Sequence, residues 1–317
     1  MINLVISACL DHVRVGVNGW NRFWFQPRDT ATLGLLRLLT GSMLFYTHLV
    51  WSLSLPDFMG PQGIVTPEVL ELARDSHFAW SILNGIESLA ILWMIHAVAL
   101  VVLFLFAIGW CTRVTSILAF LVTVSYVNRV PIALFGLDQI NGMLALYLML
   151  APSGESFSVD RLIAQGRGGK TSFGDSVMAT IATRLIQLHM CVIYLFAGCG
   201  KLLGESWWNG TAIWVALGNL EYQTLDMTWL ATWPLMINFL THLTVVWEVS
   251  YIAFIWPRWT RPLVLALAVP LHLGIAFAMG MVTFGLVMLI ANMAFISPQS
   301  VRRICGDLRI RRIVPWS

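Results

Sequence analysis

Charged residues are scarce in this sequence. Asp, Glu, Lys and Arg make up only 11% of its 317 residues, whereas 58% are apolar and 15 are tryptophan. With a mean hydropathy of +0.77, the chain has too little polar surface for a soluble globular protein of this length. The composition therefore predicts an all-α, polytopic helical membrane protein with the lipid bilayer as its main partner. A net charge of only +3 gives no sign of a nucleic-acid partner.

Paired cysteines and metal-binding motifs are also missing. The five cysteines include no CxxC pair. Cys191 and Cys199 would lie about 12 Å apart along one helix, which is too far for a disulfide. The histidines show neither HxxxH nor HExxH spacing. We therefore expect no metal site.

Eight apolar segments are predicted to be transmembrane helices of a single domain, residues 31–297. The segment before it, 1–30, combines aromatic and arginine side chains and is expected to lie at the membrane interface without a cleavable signal peptide. Residues 298–317 are expected to form a basic tail, and residues 67–87 a short surface helix. The predicted spans are 31–53, 88–110, 114–131, 137–150, the helix within 181–210, 233–256, 262–280 and 282–296.

Basic residues are distributed unevenly between the two ends of these spans. If the N-terminus is cytoplasmic, 15 of the 19 lysines and arginines fall in inner loops and termini, Arg37 lies within the first span, and only Arg74, Arg129 and Lys201 fall outside. The positive-inside rule then predicts a multi-pass protein of the cell (inner) membrane with both termini in the cytoplasm. Lys201 would lie at the outer end of its span.

A faint internal repeat accompanies the eight spans. Four spans per half would keep both halves in the same orientation, which gives a parallel 4+4 repeat about an axis along the membrane normal. The matching positions are Arg37 with Arg184 and Met43 with Met190, 147 residues apart, and Thr112–Arg113 with Thr260–Arg261, 148 apart. The first half has no lysine that corresponds to Lys201.

The stretch 181–210 contains the candidate site. Polar or small residues recur there at helical spacing, so they share one face of a helix that is otherwise apolar. Lys201 ends this face, and an ionisable group inside a membrane is a candidate functional residue. The alternative is that Lys201 simply extends to the lipid headgroups. The residues of this face are Arg184, Gln187, Cys191, Tyr194, Gly198 and Lys201.

Two further ionisable residues lie inside predicted spans. Glu248 and His272 differ in depth by only about 4 Å when each residue is given its helical rise, so they are expected to pair directly. Pro270 precedes His272 and would bend its helix, which opens space beside a polar group. The pair would be either a structural hydrogen bond or part of the site.

Several motifs of the chain together resemble the HTTM family, the membrane module of the vitamin K-dependent gamma-glutamyl carboxylase. The motifs are YLFAGCGKL at 194–202, W-x-x-G at 207–210, GESFSVD at 154–160, Glu248, and PLHLG around His272. They follow the family's order over most of the chain. The resemblance implies that Lys201 is the base that deprotonates a reduced quinone such as vitamin K hydroquinone, and that His272 is the family's membrane-embedded histidine.

The expected site therefore combines Lys201, His272 and Glu248 as catalytic residues with Tyr194, Gly198 and Trp207 as cofactor-binding residues. Gly198 and Gly200 would let a flat ring approach the backbone. Two departures from the family are expected to limit the transfer of function. Only about 20 residues follow the last predicted span, so we expect the carboxylase's luminal domain to be missing, and Asp138–Gln139 replace the carboxylase's histidine near the fourth span.

Two functions remain open. One is a membrane enzyme with an outward-facing site and a quinol-type cofactor. The other is a non-enzymatic maturation or export factor for a small secreted peptide. A transporter is disfavoured because paired broken helices are missing from the pattern.

Overall fold

The computed structural model describes residues 2–66, 79–168 and 175–306, together with Val69 and Leu72. Over this part of the chain the fold is all-α, as predicted, with one isolated antiparallel bridge between Arg28 and Ser176. The surface helix predicted within 67–87 falls largely outside the described residues, as does the end of the basic tail. The helices are α1 (Ile2–Phe25), α2 (Ala31–Trp51), α3 (Leu55–Met59), α4 (Leu89–Ile108), α5 (Thr112–Arg129), α6 (Gly136–Leu150), α7 (Val159–Gly166), α8 (Val177–Lys201), α9 (Glu205–Trp208), α10 (Ala212–Leu217), α11 (Pro234–Phe254), α12 (Arg261–Ala278), α13 (Val282–Asn292) and α14 (Pro298–Cys305).

A helix lies at each of the eight predicted spans, namely α2, α4, α5, α6, α8, α11, α12 and α13. Five of these, α2, α4, α8, α11 and α12, are long and apolar enough to cross a membrane. α6 and α13 have only 15 and 11 residues, and α5 is more polar. The segment Val282–Phe295, which contains α13, bends by 118° into α14. The chain is therefore a polytopic helical bundle, and the count of eight spans stays a prediction.

The two halves of the bundle pair their helices in the same order. In the first half α2 packs mainly on α4, and α5 on α6; in the second half α8 packs mainly on α11, and α12 on α13. The last helix of each half also packs on the first helix of the other, because α6 contacts α8 and α13 contacts α2. This is the arrangement expected of a parallel 4+4 repeat, which itself stays a prediction.

The starts of α2 and α8 lie side by side at one end of the bundle. Arg28 and Ser176 exchange backbone hydrogen bonds of 3.2 and 2.9 Å just before these helices begin. We call this the arginine end, after Arg28 and Arg184. The opposite end, where α8 finishes at Lys201, is the lysine end.

α8 turns its polar face toward other helices, as its sequence pattern predicts. Gln187, Cys191 and Tyr194 are buried, whereas Val192 and Phe196 on the opposite face are 46% and 72% exposed. A lipid-facing polar stripe would lack hydrogen-bond partners, so the bundle interior is where this face is stable. The orientation of α8 places Lys201 beside α11 at the lysine end.

Glycines allow the first two helices of each half to approach closely. A methyl group at Gly41 of α2 would lie 2.6 Å from the Cα of Ala107, near the end of α4. A methyl group at Gly198 of α8 would lie 2.8 Å from Val249 Cγ2 on α11. Small residues at such contacts let backbones pack together where lipid provides no hydrophobic driving force.

We expect Gly41→Ala to destabilise the protein by about 1–3 kcal/mol, because backbone atoms of α4 fill the space that the methyl group needs. The measurement is the thermal unfolding midpoint of the purified protein in detergent. Gly142→Ala is the matched control, since nothing lies within 4 Å of a methyl group there. That control should be neutral or stabilising, and equal losses in both variants would contradict close packing at Gly41.

Candidate functional site

Lys201 and Glu248 form an ion pair at the lysine end. The lysine Nζ lies 2.7 Å from Glu248 Oε2 and 3.0 Å from Oε1. The lysine side chain is 24% exposed and the glutamate side chain 8%. A methyl group at Gly198, one turn before Lys201, would lie 3.1 Å from the Cβ of Glu248. The glycine therefore brings α11 close enough for its carboxylate to reach the amine.

Lys201 is the last residue of α8, and its amine points to the carboxylate of Glu248. The chain then turns back through α9, where the Trp208 indole donates a 2.7 Å hydrogen bond to the carbonyl of Leu202. The Trp207 ring centroid lies 5.2 Å from the lysine Nζ, within cation–π range. Of the two alternatives for Lys201, this geometry matches a residue held in place and not one extended toward headgroups.

The prediction that Glu248 and His272 pair directly is wrong. Glu248 pairs with Lys201, and His272 Nε2 lies 2.7 Å from the hydroxyl of Tyr194. Trp247 occupies the side of α11 that faces α12, where its indole donates to the carbonyl of Val264 at 3.1 Å. Depth along the helices was a poor guide because the direction of each side chain around its helix decides the partner.

A buried polar cluster links all four helices of the second half. The Tyr194 hydroxyl accepts a 2.7 Å hydrogen bond from Asn292 Nδ2, and the Tyr251 hydroxyl donates to Asn292 Oδ1 at 2.7 Å. Tyr194, Tyr251, Asn292 and His272 are each at most 4% exposed. Sequence reasoning missed Tyr251 and Asn292, although a lone amide in an apolar helix was a usable signal.

The hydrogen bond between Tyr194 and His272 completes this cluster. The Tyr194 oxygen accepts from Asn292 Nδ2 and lies 2.7 Å from His272 Nε2, and the histidine tautomer decides which of these two atoms donates. His272 Nδ1 is buried without a hydrogen-bond partner among the described residues. His272 therefore belongs to the framework behind the ion pair and makes no direct contact with it.

The expected cofactor-binding residues separate into two groups. Tyr194 and Gly198 are packed inside the bundle, and Val249 and Glu248 fill the space over Gly198. This corrects the expectation that Gly198 leaves room for a flat ring. Gly200, the other glycine expected to admit a ring, has open space beside it, since a methyl group there would meet nothing within 4 Å. Of the three expected cofactor-binding residues, Trp207 lies beside the amine of Lys201.

The first half has its own polar cluster. His96 Nδ1 lies 2.6 Å from the Tyr126 hydroxyl, so each half contains a tyrosine–histidine hydrogen bond. A nearby cavity of about 20 Å³ is lined by His48 and Asn141, and both keep an unpartnered polar atom among the described residues. Such a volume suits one water molecule and is too small for a quinone ring.

The GESFSVD motif has a structural role at the arginine end. The carboxylate of Asp160 accepts hydrogen bonds from the backbone N–H groups of Cys111 and Thr112, at 2.8 and 2.7 Å. These donors begin α5, so Asp160 satisfies groups that a helix leaves unpaired at its start. Arg37 of α2 donates to the carbonyls of Ser153 and Phe157. The motif thereby ties the loop after α6 to both α2 and α5.

Comparison with protein families gave a match to the HTTM domain over residues 25–299. This domain is the membrane module of vitamin K-dependent carboxylase-type proteins. The matched region contains the ion pair and the polar cluster of the second half. Comparisons with curated proteins and with solved structures gave no match.

Tyr194→Phe should lower stability by about 1–3 kcal/mol, because buried groups of His272 and Asn292 would each lose a hydrogen-bond partner. The thermal unfolding midpoint measures the loss. Tyr46→Phe removes the same atom from a residue that is 52% exposed and should have little effect. Similar midpoints for both variants would mean that the cluster does not stabilise the bundle.

Lys201→Met should destabilise the protein because it leaves the carboxylate of Glu248 buried and unpaired. The loss should stay below the about 3–5 kcal/mol typical of fully buried pairs, since Lys201 retains some exposure. Adding Glu248→Gln in the same chain should recover part of it. Unfolding midpoints of the two single variants and the double variant provide the test, and additive losses would contradict a direct interaction.

Proposed function

Since this chain belongs to the HTTM family, we propose that it is a membrane enzyme whose site at the lysine end performs base chemistry with a quinol-type cofactor. The observation that carries the proposal is the partly exposed amine of Lys201, 2.7 Å from the carboxylate of Glu248. An ionisable pair at membrane depth costs free energy, so we expect such a pair to serve either the chemistry or the structure of the protein.

The residues at the lysine end fit a planar hydroxylated ring. The Lys201 amine can accept a hydroxyl proton, Trp207 offers a flat apolar face 5.2 Å away, and the side of Gly200 is open. A reduced quinone would supply an ionisable hydroxyl and reducing equivalents. Tyr194, Gly198 and His272 would act as positioning residues behind the pair, because they are buried.

Glu248 gives Lys201 a way to become a base. Transfer of a proton from the lysine Nζ to Glu248 would leave a neutral amine beside a neutral acid, with no unpaired charge in the bilayer. The neutral amine could then take a hydroxyl proton from the ligand and return to the ammonium form. A base must spend part of its time unprotonated, and a proton acceptor at hydrogen-bond distance serves this need.

We also propose that the arginine end and both termini face the cytoplasm of a cell (inner) membrane. Arg28, Arg184 and Arg261 gather at that end, which agrees with the excess of basic residues in inner loops. The lysine end would then face outward.

A maturation or export factor for a small secreted peptide is the second candidate. Large apolar side chains follow Lys201 in the chain at the lysine end, where Leu203 and Leu220 are 90% and 85% exposed. Exposed apolar groups beside polar loops suit a peptide that binds at the membrane surface. Such a protein would have no need of a base.

Lys201→Arg separates the two candidates. Arginine keeps the positive charge beside Glu248 but does not deprotonate, so it cannot act as a base. With purified protein in proteoliposomes, oxygen and vitamin K hydroquinone as the probe, we expect hydroquinone consumption to fall at least about 100-fold.

Lys170→Arg, which alters the other lysine of the chain, is the matched control and should retain activity. Full hydroquinone consumption by Lys201→Arg would overturn the base assignment. If the wild-type protein consumes none, and peptide maturation in cells is unaffected by Lys201→Arg and Lys201→Ala, the second candidate is favoured.

A further inference from the structure

Three basic side chains gather at the arginine end. The charges of Arg28 and Arg261 both act on Arg184. Burial, and then the nearby charge of Arg261, lower the pKa of Arg28 from its ordinary value. Among the described residues, no carboxylate lies within ion-pair distance of these three arginines. Like charges held together in this way favour the binding of an anion.

Arg184 is held firmly within this group. Its Nε donates to the carbonyl of Phe23 at 3.2 Å, and its Nη1 donates to Gln187 Oε1 at 2.8 Å. The guanidinium lies 4.2 Å from the Phe23 ring centroid and 5.7 Å from that of Trp256. These bonds use two of its five N–H donors. The remaining donors are available to another acceptor, and the side chain needs little further ordering.

A cleft of about 350 Å³ is lined by two of these arginines, Arg28 and Arg184. Two carboxylates also line it, but Asp29 is engaged by Arg302 through contacts of 2.6 and 2.7 Å. The second carboxylate is that of Asp175. The cleft therefore keeps an excess of positive charge. Its remaining polar or charged lining residues are Arg22, Gln26, Arg28, Thr180, Arg184 and Gln299.

We propose that this cleft binds a phosphate group, with the headgroup of an anionic phospholipid as its source. Guanidinium groups match phosphate oxygens in geometry and charge. The aromatic rings of Phe23, Trp24 and Trp256 cluster beside Arg184, as aromatic side chains do at the membrane interface. A bound headgroup would neutralise the repulsion among the arginines and link α1 to α8.

The experiment measures the thermal unfolding midpoint of the purified full chain in detergent against increasing ligand. The three probes are short-chain phosphatidylglycerol, short-chain phosphatidylcholine and inorganic phosphate. We expect phosphatidylglycerol to raise the midpoint more than phosphatidylcholine does. Arg28→Gln should weaken the apparent affinity for phosphatidylglycerol about fivefold, the effect of one basic residue near an anionic lipid surface.

Arg28→Gln is chosen because the backbone of residue 28 makes the bridge to Ser176, so the fold should survive the substitution. Arg113→Gln is the matched control, since it removes the same charge from an exposed arginine outside the cleft. An equal response to inorganic phosphate would keep the phosphate site and assign it to the free anion. The proposal fails if no probe raises the midpoint, if the two lipids act equally, or if Arg113→Gln weakens binding as much as Arg28→Gln.

Discussion

The ion pair between Lys201 and Glu248 depends on how closely two helices can approach. Either charge alone would be costly at membrane depth, and they meet because Gly198 presents no side chain to α11. A bulkier residue would separate the backbones and leave the amine to find headgroups. The glycine, the amine and the carboxylate therefore act together, although the amine and the carboxylate are 47 residues apart in the chain.

Much of the fold could be predicted because its main signal is local. Apolar length identified the positions of α2, α8 and α11, and helical spacing gave the buried face of α8. The partners of Glu248 and His272 could not be predicted in this way. Their contacts depend on rotation about each helix and on the neighbour it meets, and Trp247 takes the direction in which Glu248 was expected. These are properties of packing that no single segment encodes.

The two halves share a framework but differ in what they leave unsatisfied. Each has a tyrosine–histidine hydrogen bond, His96 with Tyr126 and His272 with Tyr194. In the second half an asparagine completes the cluster, whereas Asn141 of the first half keeps an oxygen without a partner among the described residues. If the halves are repeats, the absence of a lysine from the first half would make the proposed site at the lysine end asymmetric.

The exposed apolar side chains near Lys201 bear on how a ligand could reach its amine. Phe196 and Leu203, before and after it in the chain, are 72% and 90% exposed, while Tyr194 and His272 behind the pair are buried. A lipid-soluble ligand approaching from the bilayer would therefore meet the amine without entering the buried cluster. The proposed chemistry at this boundary would need a hydrogen-bonded polar interior that positions the carboxylate and a surface that lipid-soluble molecules can contact. The second half of the bundle provides both features around one amine.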